Sequence, residues 1–314
     1  MSAESKSRIK PLALQPGDTV GIIAPASSFK PGLLEAGCKA LSDLGYKPFY
    51  FDSIFERDLY FAGSVERRVQ EFEQMIARDD VRAIMCTRGG YGSNYLLQYL
   101  NAKKIAAAQK IFIGYSDLTS LLTWFTDSGL VTFHGPMVAA DFAKQDGVDL
   151  SSLQAALDGS FAWTIAADIE PLVEGFAEGI LYGGCLSILV GSLGTPYEIQ
   201  TSGTILFIED IYAKPYQIDR MLMHLKLAGK FSGVRGLIFG EMLDCIQNAD
   251  QGYKLQEVIL RVVGDLGIPL GFGLRSGHVS GGNITLPFGV KARLAIRADV
   301  TLEILESATV PRKS

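Results

Sequence analysis

A serine at the junction between a buried strand and a helix is the first residue of this sequence that could do chemistry. The stretch 111–119 reads IFIGYSDLT, in which an apolar run ends at a Gly-Tyr pair and a helical pattern follows Ser116 directly. A serine on such a corner has the geometry of a hydrolase nucleophile. The hydrolase pattern G-x-S-x-G has a glycine where this chain has Leu118, so the stretch also fits Ser116 or Asp117 as a helix N-cap.

A glycine-rich loop follows another buried strand in the same half of the chain. The stretch 86–97 reads CTRGGYGSNYLL and contains Gly89, Gly90 and Gly92. Glycines let the backbone approach a ligand closely and leave N–H groups free to bind an anion. The nucleotide-binding patterns G-x-G-x-x-G and G-K-[ST] are both absent. The loop therefore favours an anion or an oxyanion over a nucleotide.

A serine nucleophile needs a general base, and the chain has three histidines that could serve. His278 lies in the glycine-rich stretch LRSGHVSGGNITLP, the kind of loop in which catalytic side chains often lie. His134 follows a strand and could contact a substrate, whereas His224 lies in a helical pattern typical of packing or surface. Glu209 and Asp210 end an apolar strand, where either carboxylate could orient a histidine or satisfy a helix N-terminus.

Alternating strand and helix patterns in the first 135 residues must position the serine and the glycine loop. Short apolar strands separated by helices predict a parallel sheet with helices on both faces. Ligands bind outside the carboxyl ends of such strands, so the turns after Cys86, Tyr115 and Phe133 should share one edge. The predicted strands cover 19–25, 47–52, 81–86, 111–115 and 130–133, with helices over 33–45 and 64–80 among the connections.

The pattern changes from about residue 150, where closely spaced strands replace the regular alternation. Several of them alternate polar and apolar residues, which predicts a mixed α/β domain with a more antiparallel, barrel-like sheet. We therefore predict an N-terminal α/β domain over 1–150 with the nucleophile, a connector over 151–178, and a domain over 179–314 with the acid and the histidine. Its predicted strands cover 179–183, 203–210, 234–241, 269–274, 283–287, 290–296 and 301–306, with helices over 185–193, 215–228 and 254–265.

The composition of the 314 residues excludes several classes of protein. A net charge of -5 and a pI of about 5.4 argue against a nucleic-acid partner. The N-terminus has no apolar signal region, and the uncharged stretch 179–197 contains five glycines, which favours a buried helix over a membrane span. Four widely spaced cysteines are typical of reduced thiols in a cytoplasmic protein, and no metal-ligand spacing or cofactor motif is present.

Eight stretches, in order along nearly the whole chain, resemble the LD-carboxypeptidases (muramoyltetrapeptide carboxypeptidases). This family of serine peptidases also includes the microcin C self-immunity hydrolases. Any one stretch is weak evidence, whereas all eight in family order are a specific signal. The stretches are GIIAPAS (21–27), YFAGSVERR (60–68), CTRGGYGSNYLL (86–97), GYSDLT (114–119), TFHGPM (132–137), GGCLSILVGSLGTPY (183–197), LFIED (206–210) and GHVSGGNITLPFGVKARL (277–294).

The resemblance implies a catalytic triad of Ser116, Glu209 and His278. The family serine falls on the GYSD stretch, the acid on LFIE and the histidine on the glycine-rich GH loop. The backbone N–H groups of Asp117 and Gly90 would then hold the oxyanion of an acyl transfer. Because Asp210 is adjacent to the proposed acid, the choice between the two carboxylates is open at this stage.

The resemblance also implies a substrate, a murein tetrapeptide that loses its terminal D-Ala during cell-wall recycling, and a homodimer. Arg88, one residue before the glycine pair, is a candidate for binding the terminal carboxylate or, alternatively, for a surface salt bridge. Gly89 and His134 are further candidates for contact with the substrate. No metal, cofactor, nucleic acid or membrane is expected.

Two alternatives to this function remain at the level of the sequence. An immunity-type hydrolase would cleave an acyl-sulfamoyl nucleotide peptide, but the 93 residues from Ser116 to Glu209 are few for that branch of the family. A muropeptide-binding module without catalysis would not need Ser116, Glu209 and His278 together.

Overall fold

The first half of the chain forms a parallel sheet covered by helices, as the alternating patterns predict. The computed structural model describes residues 8–165, 168–246 and 252–312. The strands pair in the order β5-β4-β3-β1-β2, all parallel. The elements are β1 (Thr19–Ile23), α1 (Pro31–Asp43), β2 (Lys47–Phe49), α2 (Val65–Ala77), β3 (Val81–Cys86), α3 (Ala102–Ala107), β4 (Ile111–Gly114), α4 (Thr119–Asp127) and β5 (Thr132–His134).

Burial on both faces explains why these strands read as continuous apolar runs. Along β3, Ala83 and Met85 pack into one hydrophobic cluster, whereas Ile84 and Cys86 pack into another on the opposite face. The helix α2 begins at its N-cap Ser64, whose side chain accepts the backbone N–H three residues on at 3.2 Å. The regular spacing of its buried residues holds the helix against the second of these clusters.

The second half forms a mixed sheet of eight strands. Its order is β6-β14-β13-β8-β9-β10-β11-β7, in which β8 to β11 are mutually parallel and the remaining pairings are antiparallel. The elements are α5 (Leu150–Leu157), β6 (Trp163–Ile165), β7 (Glu170–Val173), β8 (Gly175–Cys185), α6 (Leu186–Gly191), β9 (Thr204–Glu209), α7 (Pro215–Leu227), β10 (Gly236–Gly240), α8 (Leu255–Val263), β11 (Leu270–Leu274), β12 (Leu286–Phe288), β13 (Lys291–Ile296) and β14 (Val300–Ile304).

Three features of this half differ from the pattern of the sequence. The sheet is mixed and more antiparallel than the first, as predicted, but its order runs openly from edge strand β6 to edge strand β7 instead of closing like a barrel. Both edge strands lie in the segment predicted as a connector. Strand β12, predicted for the second domain, instead pairs antiparallel with β5 and completes the first sheet as a sixth strand. The predicted domain division itself stays a prediction.

The uncharged stretch 179–197 is a buried strand followed by a short helix, as its glycines suggest. It comprises most of β8 and all of α6, whose Leu186 and Leu189 are buried. None of the helices in the described residues is long and apolar enough to cross a membrane.

Candidate active site

Ser116 lies at the corner between β4 and α4, in a conformation that the sequence could not reveal. Its φ is +65°, in the left-handed region that non-glycine residues rarely adopt. A 3-10 turn over Ser116–Leu118 then leads directly into α4, and the serine is half-buried. Strained backbone of this kind is typical of the turn that exposes a nucleophilic serine at the end of a strand. The geometry favours the nucleophile over the ordinary N-cap.

The glycine loop after β3 lies directly against this corner. A Cβ atom on Gly89 would lie 2.7 Å from Cβ and 2.9 Å from Oγ of Ser116, so only glycine fits there. Gly90 follows with an exposed backbone, and its N–H and that of Asp117 donate to no residue that the structure describes. Two free N–H groups beside a serine are suited to hold an oxyanion.

The Asp117 side chain joins the serine corner to the end of the glycine loop. Its Oδ2 accepts the Ser93 backbone N–H at 2.7 Å, and the Ser93 hydroxyl donates to the Asp117 carbonyl at 2.7 Å. Arg68 also links the glycine loop to the segment after β1, because it donates to the Gly92 and Pro25 carbonyls, each at 2.8 Å. Ser93 and Arg68 were not predicted as site residues, although both lie in stretches that carry the family resemblance.

His278 and Glu209 form a hydrogen-bonded pair from the second half of the chain. His278 Nδ1 lies 2.7 Å from Glu209 Oε2, and the same oxygen accepts the His278 backbone N–H at 3.0 Å. Gly277 has φ of +90°, and a Cβ there would lie 2.7 Å from Cδ of Glu209. Glycine before the histidine therefore lets the loop close over the fully buried carboxylate.

The structure distinguishes the two adjacent acids that the sequence could not. Side chains alternate at the end of β9, so Asp210 points away from His278. The Asp210 carboxylate accepts the backbone N–H groups of Ser187 and Ile211, both at 2.8 Å. Glu209 is thus the carboxylate that meets the histidine.

Burial and the opposite charges of Glu209 and His278 shift the pKa values of both side chains. Burial alone would raise the pKa of Glu209, but the charge and hydrogen bonds of His278 outweigh it and hold that pKa below its usual value. Burial alone would lower the pKa of His278, but the Glu209 carboxylate outweighs it and raises that pKa. A carboxylate that favours the imidazolium form is what a serine general base requires.

His278 contacts the serine corner through Tyr115, the residue before the serine. The rings of Tyr115 and His278 make an edge-to-face contact with centroids 5.2 Å apart. Among the described residues, Ser116 Oγ has no hydrogen bond to the His278 ring. Such bonds are often long in free enzymes and shorten when substrate binds, so the arrangement is compatible with proton transfer from serine to histidine.

His134, expected at the substrate, lies instead behind Glu209. Its side chain has no exposed surface, and its Nδ1 lies 3.0 Å from Ser276 Oγ. Its Nε2 lies 4.0 Å from Glu209 Oε1. Burial lowers the pKa of His134 to about 4, so the ring is neutral near pH 7. In this structure His134 faces the Glu209 carboxylate rather than the open side of the site.

Arg88 and a neighbouring cavity complete the surroundings of the serine. Arg88 is exposed, and within the described ranges its guanidinium has no side-chain hydrogen bond or ion pair. A cavity of about 540 Å³ lies beside the serine corner, bordered by Asp117, Ser120 and Tyr91 among others. This volume suits a small peptide, but the lining includes none of Ser116, Glu209 and His278. Within the part of the chain that the structure describes, no three potential metal ligands cluster.

Comparison with known proteins identifies the family of this chain. Residues 20–135 match the LD-carboxypeptidase N-terminal domain, and residues 178–294 match the LD-carboxypeptidase C-terminal domain. The chain belongs to the LD-carboxypeptidase family. A relative described as a probable murein peptide carboxypeptidase of Bacillus subtilis is 38% identical over 291 residues, 91% of each chain.

Solved structures of LD-carboxypeptidase family members share the whole fold. The microcin C7 self-immunity protein MccF, in complex with glutamyl sulfamoyl guanosine, superposes with a TM-score of 0.89 at 26% identity, covering 96% of this chain and 100% of that one. A muramoyltetrapeptide carboxypeptidase from Oxalobacter formigenes superposes with a TM-score of 0.83 at 30% identity, covering 94% and 100%. The resemblance inferred from eight short stretches is thereby confirmed.

Proposed function

We propose that this protein is a serine LD-carboxypeptidase that releases the terminal D-Ala of murein tetrapeptides. The observation that supports the proposal most is the 2.7 Å contact of His278 Nδ1 with Glu209, beside a serine in a strained strand–helix turn. Membership of the LD-carboxypeptidase family supports the reaction class, and the relative in Bacillus subtilis supports a murein peptide as substrate.

In the proposed reaction, His278 Nε2 takes the proton of Ser116 as Oγ bonds to the carbonyl carbon before D-Ala. The N–H groups of Gly90 and Asp117 stabilise the negative oxygen of the tetrahedral intermediate. His278 then gives its proton to the departing amine, and the C–N bond breaks to leave an acyl-serine. Water, deprotonated by His278, hydrolyses this ester, while Glu209 stabilises the imidazolium in both steps.

A carboxypeptidase must also recognise the free carboxylate at the end of its substrate. Arg88 is suited to this because its exposed guanidinium adjoins Gly89, which touches the nucleophile. Guanidinium groups bind carboxylates through two parallel hydrogen bonds. We therefore assign Arg88 to the carboxylate of D-Ala.

A second function, hydrolysis of acyl-sulfamoyl nucleosides, is favoured by one observation. The TM-score to MccF bound to glutamyl sulfamoyl guanosine exceeds that to the Oxalobacter formigenes carboxypeptidase. Sequence identity favours the first function, since it reaches 38% with the probable murein peptide carboxypeptidase. The short separation of Ser116 and Glu209 also favours it.

A substrate panel distinguishes these functions. Purified protein is incubated with murein tetrapeptide, the corresponding pentapeptide and glutamyl sulfamoyl guanosine, and the products are quantified by mass spectrometry. We expect D-Ala from the tetrapeptide alone. Cleavage of the sulfamoyl compound alone would establish the immunity-type function, and tetrapeptide binding without any cleavage would establish a binding module.

A further inference from the structure

His134 is a second buried histidine beside Glu209, and the proposed reaction does not use it. It is packed among the rings of Tyr115, Phe207 and Phe288, with centroids 5.2 to 5.9 Å away. Its Nε2 faces Glu209 Oε1, the carboxylate oxygen that His278 leaves free. Both atoms are buried and have no hydrogen-bond partner among the described residues. Buried polar atoms are rarely left in this state without a reason.

Ser276 determines which nitrogen of His134 carries the proton. The Ser276 hydroxyl donates to the Ile284 carbonyl oxygen at 2.8 Å, and its Oγ lies 3.0 Å from His134 Nδ1. Because a hydroxyl has one hydrogen, Ser276 Oγ must accept from Nδ1. The tautomer assigned by these partners therefore has hydrogen on Nδ1 and a lone pair on Nε2.

A neutral His134 in this tautomer cannot donate to Glu209. The lone pairs of Nε2 and Oε1 face each other, which fits their separation of 4.0 Å. Among the described residues, the hydrogen bonds that Glu209 accepts then come from His278 alone, through Oε2. In the opposite tautomer, Nε2–H would donate to Oε1 and draw away negative charge that stabilises the His278 imidazolium.

We propose that Ser276 and His134 form a tautomer lock behind the catalytic acid. Ser276 holds the proton of His134 on Nδ1, so that the negative charge of Glu209 is directed to His278. His134 is in this sense a positioning residue that acts through Glu209. The lock rests on the proposed peptidase function only where activity is the readout.

Several other ionisable side chains surround Glu209 and His278 and have to be considered in any pH experiment. Replacing Ser276 alters none of their charges, because a serine hydroxyl is neutral. A change in the titration of His278 in a Ser276 variant would therefore report the tautomer of His134. The surrounding groups are Tyr115, Asp141, Cys185, Asp210 and Cys245.

Imidazole ¹⁵N NMR of the histidine-labelled protein tests the lock without any substrate. The chain has only three histidines, so their ring signals can be assigned by single substitutions. We expect His134 to be neutral at pH 7 with hydrogen on Nδ1, and Ser276→Ala to move that hydrogen to Nε2. Hydrogen on Nε2 in the wild-type protein would overturn the proposal, even if Ser276→Ala does not fold.

The pH profile of kcat/KM for D-Ala release tests the consequence for catalysis. Ser276→Ala should lower the apparent pKa of the acid limb by about 1, the size expected for one added hydrogen bond to a carboxylate. The double variant Ser276→Ala/His134→Phe removes the new donor and should restore the acid limb. An unchanged limb in Ser276→Ala, or an equal displacement in the double variant, would refute the lock.

A matched control removes a different buried hydroxyl that donates to a carbonyl. Thr309→Val deletes the Oγ1 bond to the Leu157 carbonyl at 3.3 Å, outside the site. It should leave both the His134 tautomer and the acid limb as in the wild type. A displaced limb in this variant would mean that general loosening of the fold explains the effect. If the protein releases no D-Ala but NMR shows the expected tautomers, the proposed function is rejected and the lock is retained.

Discussion

Oε2 of Glu209 accepts two hydrogen bonds from His278, one from the ring at 2.7 Å and one from the backbone N–H at 3.0 Å. The carboxylate therefore fixes both the orientation of the imidazole and the path of the loop that carries it. The adjacent Asp210 instead satisfies the backbone N–H groups of Ser187 and Ile211. The two neighbouring acids thus have separate partners, which are His278 for Glu209 and backbone N–H groups for Asp210.

Replacing Glu209 should affect the rate and its pH dependence together. Glu209→Gln should lower kcat for D-Ala release by roughly 10²–10⁴, because the imidazole loses its orienting charge. The carboxylate raises the pKa of His278, and only neutral His278 can accept the serine proton. The acid limb of kcat/KM should therefore move to lower pH in Glu209→Gln. Asp210→Asn, the matched control, should move the limb in the same direction but less, because the charge of Asp210 also raises the pKa of His278 and contributes less than Glu209. Equal effects of both variants would contradict the assignment.

Gly89 tests the contact between the glycine loop and the nucleophile. A methyl group in Gly89→Ala would lie 2.7 Å from Cβ of Ser116 and must displace one of the two. Displacement by about 1 Å in an active site costs on the order of 10² in rate. Gly32→Ala is the control, since a Cβ at Gly32 meets nothing within 4 Å. Steady-state rates of D-Ala release should fall only for Gly89→Ala, and a fully active Gly89→Ala would disprove the close contact.

Local patterns in the sequence predicted most of the elements and the serine corner. Apolar runs mark strands that are buried on both faces, so β3 is predicted from its sequence with the bounds that the structure shows. Ser116, the adjacent acids Glu209 and Asp210, and His278 were candidates from a strand end or a glycine-rich loop, and only the family resemblance selected Ser116, Glu209 and His278 as a triad. Each local pattern spans only a few residues along the chain. A single sequence is therefore sufficient to find the candidates.

The remaining features depend on contacts between distant parts of the chain. Whether Glu209 or Asp210 meets His278 depends on the twist and register of β9, and both residues follow the same apolar run. The burial of His134 depends on β12, which was predicted for the second sheet but pairs with β5 in the first. The positive φ of Ser116 has no signature in residue types, because glycine is the usual indicator of that conformation.

Arg88 should determine affinity for the free carboxyl terminus of the substrate. Arg88→Ala should raise KM for the tetrapeptide by roughly 10- to 100-fold, the range for a lost hydrogen bond to a charged group. It should also abolish the preference for the free acid over a tetrapeptide with an amidated C-terminus. Arg261→Ala, which removes an exposed arginine of α8, should leave both values unchanged. Retained discrimination in Arg88→Ala would assign the carboxylate to another group.

The buried His134 should make the fold sensitive to acid. Its pKa of about 4 lies below the usual value of 6.5, so the unfolded chain binds a proton that the native state does not. The free energy of unfolding should therefore fall as pH decreases from about 6.5 to about 4, by about 3 kcal/mol from this group. Urea unfolding at several pH values should show a shallower fall for His134→Phe. Parallel curves for the two proteins would show that His134 titrates normally.

The rate of D-Ala release from murein tetrapeptide by wild type and by Ser116→Ala is the most direct test of the nucleophile. A triad serine contributes on the order of 10⁶ to kcat, so the variant should release D-Ala at the uncatalysed background rate. Circular dichroism and tetrapeptide binding should be unchanged, because Ser116 Oγ makes no hydrogen bond within the described structure. Release by Ser116→Ala within tenfold of the wild-type rate would contradict Ser116 as the nucleophile.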